Sequence, residues 1–166
     1  MGNQQETAEV RPMKGKEKRY YLAGFADAEG CFSISLKKEP TARFGWALDP
    51  VFHVTQHKSG KAVLEMLRTE LKCGRIIQKS GQNETYVFLV DNRRQLTEKV
   101  IPFFRKHRLV VKQKDFQLFS EIIEDMNKKL HWTREGFIKL VKKAFRMNLE
   151  GKQRKYTMEE IISTMR

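Results

Sequence analysis

The stretch LAGFADAEG, Leu22 to Gly30, joins a small-residue apolar run to two acids and a terminal glycine. Leu22, Ala23, Phe25 and Ala26 supply the apolar positions of a helix, and Gly24 and Ala28, four apart, share one face of it. Two small residues at that spacing leave a shallow groove that lets a second backbone approach closely. The run is too short to span a bilayer, so it predicts a seam between two soluble helices, with Leu22, Gly24, Phe25 and Ala28 in contact. Gly30 suits a left-handed stop just after Glu29. The charges are then misplaced, because Asp27 and Glu29 lie at the negative end of the helix dipole, where Lys or Arg is expected. A cation has to compensate, and a hard divalent ion bound by carboxylate oxygen is the natural candidate. The alternative is that both acids are solvated or cap a neighbouring loop.

Outward from this stretch the periodicity alternates. The helix is predicted from about Glu17 to Ala28. Phe32, Ile34 and Leu36 then alternate with Ser33, Ser35 and Lys37, a strand with one apolar and one polar face. A second strand runs from about Trp46 to Gln56, with Pro50 marking an edge or bulge. Val63, Met66, Leu67 and Leu71 define an amphipathic helix over about Ser59–Lys72, stopped by Gly74. A second hairpin occupies about Arg75–Lys79 and Thr85–Val90, and a helix from Asn92 is bent or ended by Pro102. Helices over Lys112–His131 and Thr133–Leu149 follow, and Thr157 with Glu160 forms a capping box for a short terminal helix. The order is αββαββα with a helical C-terminal tail, an α+β fold whose four-stranded antiparallel sheet carries helices on one face. Residues 1–16 read as a flexible leader and residues 17–166 as a single domain.

The 33 Lys and Arg against 20 Asp and Glu leave a net charge of +13. Such a field points to nucleic acid as partner, since each neutralised phosphate releases counterions. The open sheet face should present Ser33, Ser35, Lys37, Asp49, His53 and Thr85, with Arg75 and Lys79 depending on register. Short hydrogen-bonding side chains and positive charge on a twisted β surface suit a DNA major groove. The basic run Lys152–Lys155 is either a contact to flanking phosphates or a solvated linker. Cys31 and Cys73 have neither metal-site nor redox spacing and read as reduced thiols. With no signal peptide or membrane span, the expected location is intracellular, in cytoplasm, nucleoid or organelle matrix, and not secreted. His57, His107 and His131 lack metal-ligand spacing, and no Ser, Cys or His nucleophile constellation is visible.

LAGFADAEG resembles the signature of the LAGLIDADG homing endonucleases. The resemblance extends to FHVTQHK (Phe52–Lys58), to CGRI at Cys73, and to VIPFFRKHRLVVKQKDF (Val100–Phe116), and so covers about Tyr20–Leu149. It implies a saddle-like sheet and assigns roles by position. Glu29 corresponds to the metal-binding acid, with Ala28 beside it as a ligand position, and Asp27 to the second, structural acid. Gln56 corresponds to the residue that positions water or the scissile phosphate, and Lys112 to the active-site lysine. Some relatives carry arginine four residues beyond the glutamine, where this chain has Gly60; Lys61 is the neighbouring candidate. A single motif copy implies a homodimer that cuts both strands of a long pseudo-palindromic duplex. Mg²⁺ is the implied cofactor, with Mn²⁺ as a substitute and Ca²⁺ binding without cleavage. Two rivals are an RNA maturase of the same fold acting on an intron RNA, and a non-catalytic DNA-binding regulator.

Overall fold

The computed structural model describes residues 12–149 and 154–166. Helix α1 (Gly15–Glu29) runs without a break into strand β1 (Gly30–Lys38), and the Glu39–Gly45 loop returns the chain as β2 (Trp46–His57). A 3-10 turn (Lys58–Gly60) leads to α2 (Lys61–Leu71), followed by the hairpin β3 (Arg75–Gln78) and β4 (Thr85–Val90). The antiparallel sheet has the order β1-β2-β4-β3. Next come α3 (Arg93–Gln95), a π-helical segment (Leu96–Val100), α4 (Ile101–Lys106), α5 (Gln113–Asn127), α6 (Arg134–Ala144) and α7 (Met158–Ser163). Among the described residues, no helix is long and apolar enough to cross a membrane.

The alternating pattern sorts the strands as expected. Phe32 and Ile34 of β1, Phe52 and Val54 of β2, and Phe88 and Val90 of β4 are buried on the helix side. Phe32 is the hub, with rings of Phe52, Phe104, Phe116 and Phe119 at 4.8–5.4 Å. Offset and edge-on packing of this kind adds to the area buried. Against it α2 buries Leu64, Leu67 and Leu71, and α5 buries Phe116, Phe119, Ile122 and Ile123. Leu64 is thus central to a face predicted from Val63 and Met66, which are only partly buried.

Several boundaries differ from the sequence reading for physical reasons. Helix α1 begins at Gly15, inside the predicted leader, whose residues 1–11 lie outside the described ones. Lys72 adopts the left-handed conformation after α2, at φ 53°, in place of Gly74 as the stop. Pro102 does not end its helix: it sits at the start of α4, and the preceding turn widens so that Ile101 N–H reaches back to the Leu96 carbonyl. The wider turn accommodates a residue that lacks an N–H and whose ring crowds the carbonyl four residues back. Pro50 pairs with Ile34 of β1 but lies beyond the end of β4, which stops at Val90 opposite Phe52. Its missing N–H therefore costs no ladder bond on that side.

The C-terminal segment straps the outer strand. Asn148 Nδ2 donates to the Phe32 carbonyl (2.8 Å) and Arg154 Nη1 to the Ile34 carbonyl (2.7 Å), both on β1. Arg154, read as a candidate phosphate contact, is thus a half-buried structural cation; burial lowers its pKa. Residues 152 and 153 of the basic run lie outside the described ones. Thr157 and Glu160 form the predicted capping box of α7, and Thr164 receives a bond from Trp46 Nε1.

Gly30 is extended, at φ −81° and ψ 162°, so the left-handed stop expected there does not occur. Glycine is needed for another reason: a Cβ at this position would lie 2.5 Å from the Ala26 carbonyl oxygen. Because that atom is backbone, Gly30→Ala is expected to destabilise the fold by about 1–3 kcal/mol, measurable as a lower midpoint in urea denaturation.

Candidate active site and nucleic-acid interface

Helix α1 ends where three segments meet: its own last turn, the start of β1, and the Arg108–Lys112 loop that leads into α5. Asp27 is 8% exposed. Its Oδ2 accepts the backbone N–H groups of Val110 (2.8 Å) and Val111 (3.0 Å), and its Oδ1 accepts that of Lys112 (2.8 Å). In return Lys112 Nζ donates to the Ala28 carbonyl (2.8 Å) and to that of Asp27. The cation that the helix end required is therefore present within the chain, as the Lys112 ammonium. Of the two readings left open for the acids, Asp27 follows the loop-capping one.

Burial pushes the Asp27 carboxyl up, but the three backbone donors and the Lys112 charge outweigh it and leave its pKa below the ordinary aspartate value. Glu29 differs in every respect. It is exposed, and no ion pair or side-chain hydrogen bond among the described residues engages it. Gly30 pairs with Val54, so Gln56, two residues further along β2, lies at the end of the sheet where α1 enters. A side chain at Gly60 would begin 2.6 Å from Gln56 Oε1. Glycine there leaves room for the glutamine side chain. Lys61 Nζ lies 4.6 Å from the ring centre of Tyr86, the residue opposite Gln56 in the β2–β4 register. A cation is thus held in this quarter on an aromatic face.

No cluster of three or more His, Cys, Asp or Glu side chains able to hold a metal occurs among the described residues. The oxygen donors at this helix end are the Glu29 carboxylate and the Ala28 carbonyl, which retains a second lone pair beside its bond from Lys112. This hard-oxygen set fits part of a Mg²⁺ site.

The proposed seam needs one correction. Leu22 is fully buried in the chain's own core and is not available to a partner. Gly24 and Ala28 are exposed, and an added Cβ at Gly24 would meet nothing within 4 Å. Phe25 is half-buried and stacks on the exposed Tyr21 at 6.3 Å. Val110 and Val111, on the loop pinned by Asp27, are 85% and 78% exposed. Three consecutive backbone groups tied to one carboxylate keep this apolar pair on the outside, a consequence that periodicity could not reveal.

Every predicted sheet-face residue lies on the open side. Ser33, Ser35 and Lys37 of β1 stand opposite Val51, Asp49 and Ala47, and His53 stands between Cys31 and Leu89. Arg75 is across from Leu89, and Thr85 across from His57; Lys79 N–H bonds to the Thr85 carbonyl (2.8 Å). Two of the charges are already engaged: Lys37 pairs with Asp49, and Arg75 makes a bidentate bond to Asp91 at 2.7 and 2.8 Å. Burial, with the Lys79 charge, lowers the pKa of His53, so the imidazole is neutral near pH 7 and can both donate and accept. The polar list missed Val51, Val87, Leu89 and Ile77, which give the face an apolar strip suited to thymine methyl groups. Of the remaining histidines, His57 bonds Glu84 (3.1 Å), and His107 is buried edge-on to Tyr20 (5.2 Å).

The clamp at Asp27 is testable by pH. Because its folded pKa is depressed, its contribution is present above the ordinary aspartate value of about 3.9 and is lost as pH falls through the lower folded value. Asp27→Asn should cost about 2–3 kcal/mol at pH 7. In denaturant titrations the gap from wild type should shrink as pH drops below about 4.

A family model described as LAGLIDADG endonuclease matches residues 22–123. The chain is 40% identical over 126 residues to DNA endonuclease I-CeuI of Chlamydomonas moewusii, covering 74% of this chain and 58% of that protein. It is 32% identical over 146 residues to homing endonuclease I-ApeII of Aeropyrum pernix, covering 86% of each. Among solved structures, the archaeal intron-encoded homing endonuclease I-Vdi141I complexed with DNA superposes with a TM-score of 0.83 at 38% identity, over 89% of this chain and 93% of that one. The group I intron-encoded I-CeuI complexed with DNA gives 0.84 at 32% identity, over 93% and 78%. On these matches and this fold, the chain belongs to the LAGLIDADG endonuclease family.

Proposed function

We propose that this chain is a site-specific homing endonuclease, acting as a homodimer that hydrolyses both strands of a long pseudo-palindromic DNA target with Mg²⁺. The observation that carries this reading is the contrast on one helix end: Asp27 is buried with its oxygens satisfied, whereas Glu29, two residues on, is exposed and unpaired among the described residues. A carboxylate kept free beside a buried one has a use outside its own subunit. Among the described residues one chain brings a single free carboxylate to this helix end, and two-fold packing along Gly24 and Ala28 would bring a second Glu29 close to the first. Tyr21, Val110 and Val111 would extend the apolar contact. Two symmetry-related sheet faces then suit two half-sites.

A bound divalent ion would supply Lewis-acid stabilisation of the phosphate and an acidified water. The chain's residues act around it. Glu29, with the Ala28 carbonyl, holds the ion; Gln56 orients the attacking water or a phosphate oxygen through its amide. The Lys112 ammonium, tethered to two carbonyls, keeps positive charge beside the negative charge that develops on the phosphate. Lys61, on the Tyr86 ring, adds charge near Gln56. The regulator alternative leaves Glu29 with no task.

The deciding experiment incubates the protein with a randomised duplex library in Mg²⁺ and, separately, in Ca²⁺. Unique cleavage in Mg²⁺ alone is expected, and Glu29→Gln should lose at least about a thousandfold in rate while still retaining duplex in a filter assay. Binding without cleavage by wild type and variant alike would overturn the assignment. The dimer has its own test. Since Gly24 faces open space, Gly24→Leu should leave the melting temperature of the isolated chain nearly unchanged and shift sedimentation towards the monomer; an unchanged dimer would rule out this seam.

A further inference from the structure

The half of β2 remote from Gln56 has a free side. From Trp46 to Val51 the strand pairs with β1 alone, because β4 ends opposite Phe52. Along this open edge lies a cavity of about 430 Å³, bounded by the β1–β2 loop, the start of α3 and the segment joining α5 to α6. Its apolar walls include Phe44, Leu48 and Met126, and its mouth carries Trp132, which is 47% exposed. Arg43 lies 5.7 Å from the Trp132 ring centre and donates to the Trp132 carbonyl (2.9 Å), and Lys129 Nζ lies 4.6 Å from the same ring. Arg93 completes the lining, in which no carboxylate takes part. The strand spans twelve residues, roughly 35 Å, so this cavity is separate from the site at the end of α1.

Each part of the cavity constrains what it can take. An apolar floor below an exposed indole accepts a flat group with apolar faces. Three cations with no counter-charge among the described residues call for an attached anion. A strand edge with no second partner strand among the described residues offers backbone donors and acceptors to the rim of a ring. A simple anion would leave the apolar walls unused, and a hydrophobic peptide would leave the cations unmatched. A duplex has its bases paired and stacked, so it cannot fill a concave site of this kind. We propose that the cavity binds an unpaired nucleotide of a single-stranded nucleic acid segment, with its base against the apolar wall and strand edge, and its phosphate held by Arg43, Arg93 and Lys129. The strand has two sources, a loop of RNA or an unpaired DNA strand, and the same chemistry serves both.

The tryptophans make the test direct. The chain has only two; Trp46 also lines the cavity but is 3% exposed and bonded to Thr164, so the quenching that is lost in Trp132→Phe is the part that reports Trp132. Titration of wild-type protein with single-stranded RNA and with single-stranded DNA of the same sequence should give saturable quenching. Arg93→Glu and Lys129→Glu should each weaken it about tenfold or more with melting temperatures close to wild type, and Arg93→Gln should fall between. Tighter binding of RNA assigns the cavity to a transcript; equal or tighter binding of DNA assigns it to a displaced or flanking strand. The proposal is overturned if quenching does not saturate, if the charge reversals leave it unchanged, or if the duplex form or polyglutamate quenches as strongly as the single strands.

Discussion

One carboxylate and one ammonium, crossed between two segments more than eighty residues apart in sequence, hold the end of α1 in place. Asp27 gathers three successive backbone N–H groups from the Val110–Lys112 loop, and the lysine that closes that loop returns its charge to the carbonyls of Asp27 and Ala28. Neither half works alone. Without the carboxylate, three partly buried hydrogen bonds lose their charged acceptor; without the ammonium, a helix C-terminus carrying two acids faces its own dipole. The exposed placement of Glu29, Val110 and Val111 follows from this crossing. A functional constellation needs such rigidity, because its groups must be held in place before the ligand arrives.

Much of this was readable in the sequence, and the unread part has a common cause. Period-two alternation in Phe32–Leu36 and in Trp46–Thr55 gave the sheet and its open face, and the four-residue spacing of Gly24 and Ala28 gave an exposed stripe. With the exception of Gly30, the failures concern contacts distant in sequence. Leu22 was assigned to the seam because apolarity does not say which side of a helix meets the chain's own core. Gly30 read as a turn residue, but what it avoids is a carbonyl in the preceding helical turn. Nothing local connects Lys112 to the end of a helix eighty-odd residues earlier, so the pattern around Asp27 does not reveal the ammonium that lies there; only the resemblance places the lysine in the site. The cavity beside β2 was invisible because it arises from the unequal lengths of neighbouring strands, which single-strand patterns do not encode.

The open sheet face is less positive than the net charge suggests. Lys37 and Arg75 each spend their charge on a neighbouring acid, and the centre of the face is aliphatic. Such pairing fixes long side chains in one orientation, which suits recognition of base edges better than general attraction to phosphate. The unspecific part of the field then belongs to the many other Lys and Arg residues of the chain. Attraction and discrimination are in this way assigned to different residues.

The strap across β1 has a consequence of its own. An outer strand presents a row of vacant carbonyls and amides that invites another strand to continue the sheet. Here Asn148 and Arg154 occupy the carbonyls of Phe32 and Ile34, and the opposite border, β3, is only four residues long. Strand-by-strand stacking of copies, the route to fibres, is hindered along β1 and curtailed at β3, which leaves the short Trp46–Val51 edge of β2 as the open one. The two outer borders of the sheet are thus poor places for another strand to attach.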